Sequence, residues 1–269
     1  MLRSRWLLRR SFIFPETFPS FARSASIQVV DPHIHLWDLK THYYPWLVNP
    51  QTSFVGDARD LQHYLLADLR RDAEDIEVLK VMHVDANHDP ADPGRGNALA
   101  ARHLEAHAAF ANTHGIRQIL NVHDNRLYDY VGRHYMREPQ WRKHFALLER
   151  FGMSFDLQLY PSQMEEAAHL AREHADTQFV INHGGMFVDR NSTQGYRAWR
   201  DGMRLRPYVH EIIDAFGCER AMFVSNFPVD RLFGSYADLW NAYAQIVGDA
   251  SDSEKRALFV RNAERIYRI

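Results

Sequence analysis

The sequence predicts an α/β fold built from parallel strands, and three features of the chain support this. Short apolar runs recur along it. Each is followed by a stretch with apolar residues three or four positions apart, an alternation typical of parallel strand–helix units. The length of 269 residues suits one α/β barrel or two smaller domains, and no soft linker divides the chain.

Six short apolar runs are predicted as strands. In chain order they are Ile27–His35, Val78–Val84, Ile116–Val122, Met153–Leu159, Thr177–Asn182 and Ala221–Ser225. Helical periodicity predicts helices at Gly96–Asn112, Trp141–Phe151, Ser162–His174 and Ser253–Arg265. Near-continuous apolar runs indicate strands that are buried on both faces, as in a parallel sheet covered by helices.

Composition narrows the classes of partner. Hydrophobic residues make up 46% of the chain and charged residues 25%, a balance that argues against disorder and against membrane spanning. The net charge of −2 comes without a basic block, which argues against nucleic acid. The single cysteine, Cys218, excludes an intrachain disulfide and fits a reducing compartment. We therefore expect a small-molecule substrate.

Residues 1–26 differ from the body of the chain, residues 27–269, which we interpret as one barrel domain. Five arginines and a single acid, Glu16, occur there among Ser, Phe, Leu and Trp. This bias is typical of a mitochondrial transit peptide. A disordered extension and an unused upstream start codon remain alternatives, so the expected location is mitochondrial or cytoplasmic.

Two histidines end the first predicted strand. His33 and His35 are two positions apart, so their side chains lie on the same face of a strand. At the mouth of a parallel barrel they would converge where such folds carry out chemistry, since imidazole binds metals, moves protons or holds a substrate oxygen. A pair of hydrogen-bonded structural histidines is the alternative. Arg117, a polar residue inside an apolar run, is either a ligand contact or a structural ion-pair partner.

Further polar residues end later strands. His183 follows Phe179-Val180-Ile181-Asn182 and precedes two glycines, and Asn226 follows Ala221–Ser225 in the motif Asn-Phe-Pro-Val-Asp. The chain closes on an amphipathic helix around Leu258–Tyr267.

From Val29 to the C-terminus, these motifs in this order resemble the amidohydrolase superfamily. The similarity is to its amidohydrolase-2 branch, which contains sugar-acid lactonases and 2-pyrone-4,6-dicarboxylate lactonases. The resemblance implies a TIM-like (β/α)8 barrel in which His33, His35, His183 and Asn226 surround a substrate carbonyl. It also implies substrate contacts in the segments that contain Arg117 and Tyr160, and His123 is a further candidate for substrate binding. The cofactor is then either absent or one divalent metal, Zn or Mn, held by His33, His35 and His183.

The last-strand residue departs from the family pattern. Most of the superfamily has Asp where this chain has Asn226, and an amide cannot act as a base. Asp85 and Asp230 are the nearest alternative carboxylates by topology. Asp31, one pleat deeper than His33, is expected to hold a histidine tautomer. Loss of an anionic ligand also weakens a metal site.

Only about six of the eight expected strands are recognisable, so we expect an incomplete or distorted barrel. The shortfalls follow Asp85 and Arg204, where relatives carry a further strand. Either the chain is a true variant, or exons are missing from its gene model. The leading functional hypothesis is a hydrolase that opens a lactone or related cyclic ester of a small carboxylated or sugar-derived acid, with activity reduced by these departures. The alternatives are a decarboxylase of the same superfamily and a non-catalytic binding relative.

Overall fold

Parallel strands and intervening helices form the framework of the chain, as predicted. The computed structural model describes residues 26–41, 43–48, 61, 63–84, 97–126, 128–186, 205–232 and 234–269. The strands in these ranges are β1 (Gln28–Ile34), β2 (Trp37–Asp38), β3 (His63–Tyr64), β4 (Glu77–His83), β5 (Gly115–Ile119), β6 (Ser154–Gln158) and β7 (Phe179–Ile181). Most of the N-terminal extension and the candidate base Asp85 lie outside the described residues.

The helices fall between and after the strands. They are α1 (Pro45–Val48), α2 (Leu66–Asp72), α3 (Asn97–Ala108), α4 (Pro139–Phe145), α5 (Leu147–Arg150), α6 (Met164–Glu173), α7 (Leu205–Phe216), α8 (Tyr236–Ile246), α9 (Asp252–Arg256) and α10 (Asn262–Tyr267). Short 3-10 turns occupy Tyr135–Arg137, Pro161–Gln163, Asn182–Gly185 and Val229–Leu232, and one π turn occupies Ala257–Arg261. No helix among the described residues is both long enough and apolar enough to cross a bilayer.

Strand pairing in the described residues gives three separate sheets and no closed barrel. β1 pairs in parallel with β4, and β5, β6 and β7 form a parallel sheet in that order. β2 and β3 form a short antiparallel pair. The two parallel sheets contain counterparts of five predicted strands, and their chain order is that of the prediction.

The prediction of a strand at Ala221–Ser225 is wrong. The segment is extended, but its backbone amides bind groups other than a strand ladder: Phe223 N donates to the Leu258 carbonyl and Ser225 N to Asp31 Oδ1. An apolar run identified the segment as a strand, because such a run reports burial and does not report ladder pairing. We refer to residues 221–225 as the final stave.

A buried carboxylate joins the final stave to β1. Asp31 Oδ1 accepts from Ser225 N at 3.1 Å and from His33 N at 3.3 Å, and Oδ2 accepts from the Tyr236 hydroxyl at 2.9 Å. The expectation that Asp31 holds a histidine tautomer is therefore wrong, because its oxygens are engaged by backbone amides and a phenol. Burial raises the pKa of Asp31 to about 6.

Two apolar cores lie behind the sheets. The larger surrounds β1 and the C-terminal helices and includes Trp37, Trp240 and Phe227. The smaller surrounds β5, β6 and β7 and includes Phe155 and Leu170. Both fit strands covered by helices.

Gln163 connects the ends of β5 and β6 through its side chain. Its Nε2 donates to the Leu120 carbonyl at 2.7 Å, and its Oε1 accepts from Val122 N at 3.2 Å and Tyr160 N at 3.3 Å. We expect Gln163→Ala to lower the free energy of unfolding by about 2–4 kcal/mol, because buried backbone groups lose their partners. Urea denaturation measures this change. The exposed Gln178→Ala is the control, and equal losses in both variants would contradict the assignment.

Candidate active site

Three imidazoles meet at the carboxyl ends of β1 and β7. His33 and His35 end β1, and their ring centroids are 5.0 Å apart at a near-perpendicular angle. His183 lies in the turn that follows β7, and its ring centroid is 5.0 Å from that of His33. The structure therefore brings together histidines that are 150 positions apart in the sequence, with His33 between the other two.

The backbone is left-handed at two of the predicted site residues. His183 has φ of 55° and Asn226 has φ of 54°, a region that non-glycine residues seldom occupy and that clusters at functional sites. Gly184, with φ of 58°, leaves room for helix α7, since a Cβ there would lie 2.6 Å from Ile212 Cδ1. The turn that aims His183 thus depends on both backbone angle and close approach.

A row of close polar contacts runs from the end of β4 to Asp230. His35 has Nδ1 2.8 Å from the Val84 carbonyl oxygen and Nε2 3.1 Å from Asn226 Oδ1. Asn226 Nδ2 in turn donates to Asp230 Oδ1 at 2.9 Å. A neutral imidazole has one N–H, so His35 donates to only one of the two oxygens that it faces. Asn226 lies between this histidine and a carboxylate, although an amide is no base itself.

Burial keeps all three histidines neutral. It lowers the pKa of His35 and of His183 to about 3, and that of His33 well below its usual value. The positive charge of Arg117 lowers all three further, and His33 is also affected by its two neighbours. At neutral pH the cluster therefore presents uncharged imidazoles, each with one N–H donor and one acceptor nitrogen.

Asp230 has the opposite shift. Burial is the main cause that raises its pKa to about 7; the Asp31 charge adds to this, and the hydrogen bond from Asn226 opposes it. A carboxyl group that titrates near neutrality is matched to proton transfer at physiological pH.

A cavity of about 130 Å³ opens between β7, α7 and the final stave. Five polar residues line one part of it: His33, Asn182, His183, Asn226 and Asp230. Within the described residues, the buried atoms His33 Nε2 and Asn182 Oδ1 have no hydrogen-bond partner. Buried polar atoms without a partner are rare, so both are available to a ligand in the cavity.

Arg117 lies within a polar network beside this cavity and is not one of its lining residues. It donates to Gln158 Oε1. It also lies opposite Asp156 in the β5–β6 register. Asp156 accepts from Asn182 Nδ2 at 3.1 Å and from the Tyr267 hydroxyl at 2.9 Å. In this arrangement Arg117 influences the cavity through its charge.

Tyr160 and His123 form a separate cluster. Their rings are 5.7 Å apart, and the Tyr160 hydroxyl donates to the Tyr128 carbonyl at 2.7 Å. His123 Nδ1 accepts from Asn125 N at 2.9 Å. Neither residue lines the cavity, so the structure does not bring them together with the three histidines.

The three histidines do not form a ready metal site. Among the described residues, no group of three or more His, Cys, Asp or Glu side chains is placed to hold a metal ion. At His35, Nδ1 faces the Val84 carbonyl oxygen and Nε2 faces Asn226 Oδ1, and a neutral imidazole donates to only one of these two acceptors. The assignment of His33, His35 and His183 as a metal-ligand set stays a prediction.

The sequence did not single out Asp156 or Tyr267, although both lie beside the site. An acid inside the apolar run Phe155-Asp156-Leu157 was the available signal for the first. For Tyr267 there was none, because its partner is 111 positions away. Helix α7 was also missed as a cavity wall.

Comparison with known proteins settles the family. The family model for Amidohydrolase matches residues 30–269 of this chain. The chain belongs to this family. It is 38% identical to the protein y4mH of Sinorhizobium fredii, over 91% of this chain and all of the relative. That alignment runs over 298 positions, of which this chain fills about 245 (91% of 269), so the relative has roughly 50 positions that the chain lacks.

Solved structures of this amidohydrolase family show the fold. A Burkholderia multivorans amidohydrolase with bound zinc has a TM-score of 0.69 at 18% identity, over 90% of this chain and 99% of that one. A probable 2-pyrone-4,6-dicarboxylic acid hydrolase from Acinetobacter baumannii, with bound citric acid, has a TM-score of 0.59 at 13% identity, over 90% and 99%. The amidohydrolase described here therefore has a TIM-barrel-like α/β fold. Because a barrel unit of strand and helix takes about 30 residues, the shortfall against y4mH corresponds to one or two units.

Proposed function

We propose that this amidohydrolase is a hydrolase that opens a lactone or related cyclic ester of a small organic acid. One observation carries the proposal: His33 Nε2, a buried imidazole nitrogen without a partner among the described residues, shares a cavity with Asp230, a carboxyl group of pKa about 7. The first can donate a hydrogen bond to a carbonyl oxygen, and the second can accept a proton from water.

The proposed reaction contains two proton transfers, one to Asp230 and one from it. Asp230, as carboxylate, takes a proton from a water molecule whose oxygen attacks the lactone carbonyl carbon. His33, neutral and protonated on Nε2, donates a hydrogen bond to the carbonyl oxygen as negative charge develops there. The carbon–oxygen bond of the ring then breaks, and the leaving alkoxide takes the proton back from Asp230. One water is consumed and one hydroxy acid is formed.

Asn226 is a positioning residue in this scheme. Its Oδ1 lies beside His35 Nε2. Its Nδ2 donates to Asp230 and holds the carboxylate at the cavity wall. The charge of Arg117 favours anionic substrates and opposes protonation of the histidines. The similarity of fold to a 2-pyrone-4,6-dicarboxylic acid hydrolase supports a cyclic ester as substrate.

A panel of lactones tests the proposal directly. The purified protein is titrated in a pH-stat with unsubstituted, carboxylated and hydroxylated lactones, after chelation and again with added zinc or manganese. We expect acid release with at least one lactone. Carbon dioxide release from aromatic acids in place of lactone opening would favour the decarboxylase. Binding of these acids without turnover would favour the non-catalytic alternative.

The pH profile of the active lactone gives a second prediction. We expect kcat/KM to rise with pH through a single ionisation near 7, because Asp230 must lose its proton to act as the base. The histidines have pKa values far below this range, so no falling limb from their titration should appear between pH 7 and 9. A bell-shaped profile with a histidine-like limb near 6.5 would contradict the assignment.

A further inference from the structure

The cavity continues from its polar residues into an apolar region, which we call the slot. Its walls are Val180 and Ile181 of β7, Val209 and Ile213 of α7, and Met222 of the final stave, together with neighbouring apolar and tyrosine side chains. Resting on the function proposed above, we propose that the slot binds a hydrocarbon substituent of the substrate. The preferred substrate is then an alkyl- or aryl-substituted lactone and not a polyhydroxylated sugar lactone.

Two of the tyrosine hydroxyls around the slot donate to protein partners. The Tyr243 hydroxyl donates to the Val224 carbonyl at 3.2 Å, and the Tyr267 hydroxyl donates to Asp156 Oδ2 at 2.9 Å. Both tyrosines therefore present mainly their ring carbons to the cavity. A sugar hydroxyl in the slot would lose water and would not gain these two phenols as partners, whereas a hydrocarbon group loses nothing by leaving water.

The slot lies where two strand edges are not joined. β7 pairs with β6 along one edge, and in the described part of the chain no strand pairs with its other edge. The final stave on the far side binds a helix carbonyl and Asp31 in place of a strand. Side chains of α7 close the opening between them. Within the described residues, the unpaired edge of β7 thus lies beside the space for the substituent.

The volume of the cavity limits the size of the group. An apolar cavity of about 150 Å³ accepts a molecule of the size of benzene, and this cavity has about 130 Å³. Of the roughly six heavy atoms that this volume holds, the ester carbonyl at His33 and Asp230 takes two, so a substituent of about three or four carbons would fill the slot. The two regions form one cavity, so one substrate can occupy both.

A substrate series with matched variants tests the slot. The substrates are γ-butyrolactones that carry 4-alkyl groups from methyl to octyl, and a sugar lactone of the same ring size. For the unaltered protein we expect kcat/KM to rise about fourfold per methylene up to the length that fills the slot, and to be lowest for the sugar lactone. Ile213→Trp should lower the ratio of kcat/KM for butyl over methyl at least tenfold. Ile213→Ala should move the optimum to a longer chain.

The control is Ala215→Trp, which adds the same ring at an exposed position of the same helix and should leave the ratio unchanged. A measurement of benzene binding tests the slot independently of the proposed lactonase activity. Benzene should raise the melting temperature of the unaltered protein and of Ala215→Trp, and should not raise that of Ile213→Trp. Benzene binding without lactone turnover would overturn the proposed function, while the assignment of the slot as an apolar binding site would stand. Lactone turnover with no dependence on alkyl length and no benzene binding would overturn the slot alone.

Discussion

Asp230→Asn is expected to lower kcat/KM for lactone opening about 10³-fold, within the range that a positioned general base contributes. The substitution keeps the size of the side chain and its contact with Asn226, so the loss reports the missing proton acceptor. The residual activity should no longer rise through pH 7, because the group that titrates there is gone. Initial rates between pH 5 and 9 measure both effects.

The same variant should be more stable than the unaltered protein at alkaline pH. The pKa of Asp230 is raised from 3.8 to about 7, so the folded protein favours the neutral carboxyl, and this contribution to stability is lost as pH rises from about 4 to 7. An amide does not lose it. We expect the free energy of unfolding of Asp230→Asn, relative to the unaltered protein, to increase by about 2 kcal/mol between pH 5 and pH 8.

The control for this experiment is Asp176→Asn, at an exposed carboxylate. It should change neither the pH profile nor the pH dependence of stability. If Asp230→Asn keeps full activity at pH 8, another group must serve as the base and the assignment fails.

His33→Gln is expected to lower kcat about 10²–10³-fold, the loss seen when a donor to a developing oxyanion is removed. His33 is the central ring of the cluster and has a buried Nε2 without a partner among the described residues. Its backbone carbonyl, which accepts from Asn226 N at 3.0 Å, is unaffected by the change. Near-ultraviolet circular dichroism checks that the fold is kept.

His123→Gln is the matched comparison for His33→Gln. His123 contacts Tyr128 and Tyr160 and does not line the cavity, so we expect kcat to change by less than about threefold, within the effect of a substitution away from the site. A loss in His123→Gln as large as that in His33→Gln would indicate that the reaction occurs in the aromatic cluster.

The sequence predicted the parts of the site that depend on local patterns. The alternation of β1 placed His33 and His35 together, and the strand-end position of His183 and Asn226 followed from where apolar runs stop. Asp230 was identified as a candidate because it follows Asn226 by four positions. These inferences depend only on strand geometry and chain order, which a sequence records directly.

Other features depend on contacts between distant segments. Asp31 was assigned to a histidine by its place on the strand, but its oxygens bind the final stave and Tyr236. The apolar run Ala221–Ser225 reports burial, and no pattern in the sequence shows that its amides bind Leu258 and Asp31. Nor does a pattern show that both nitrogens of His35 face acceptor oxygens, those of Val84 and Asn226. The path of the backbone determines such pairings, and it is set by packing of the whole domain.

Because Ile212 contacts Gly184, helix α7 has two structural roles. The helix supplies a wall of the slot, and it also rests directly on the turn that carries His183. A group held against α7 would therefore steady the imidazole of His183, whose ring lies beside that of His33. Binding energy from a part of the substrate far from the bond that breaks would then help to position groups at that bond. Such energy lowers the activation barrier in addition to tightening the complex.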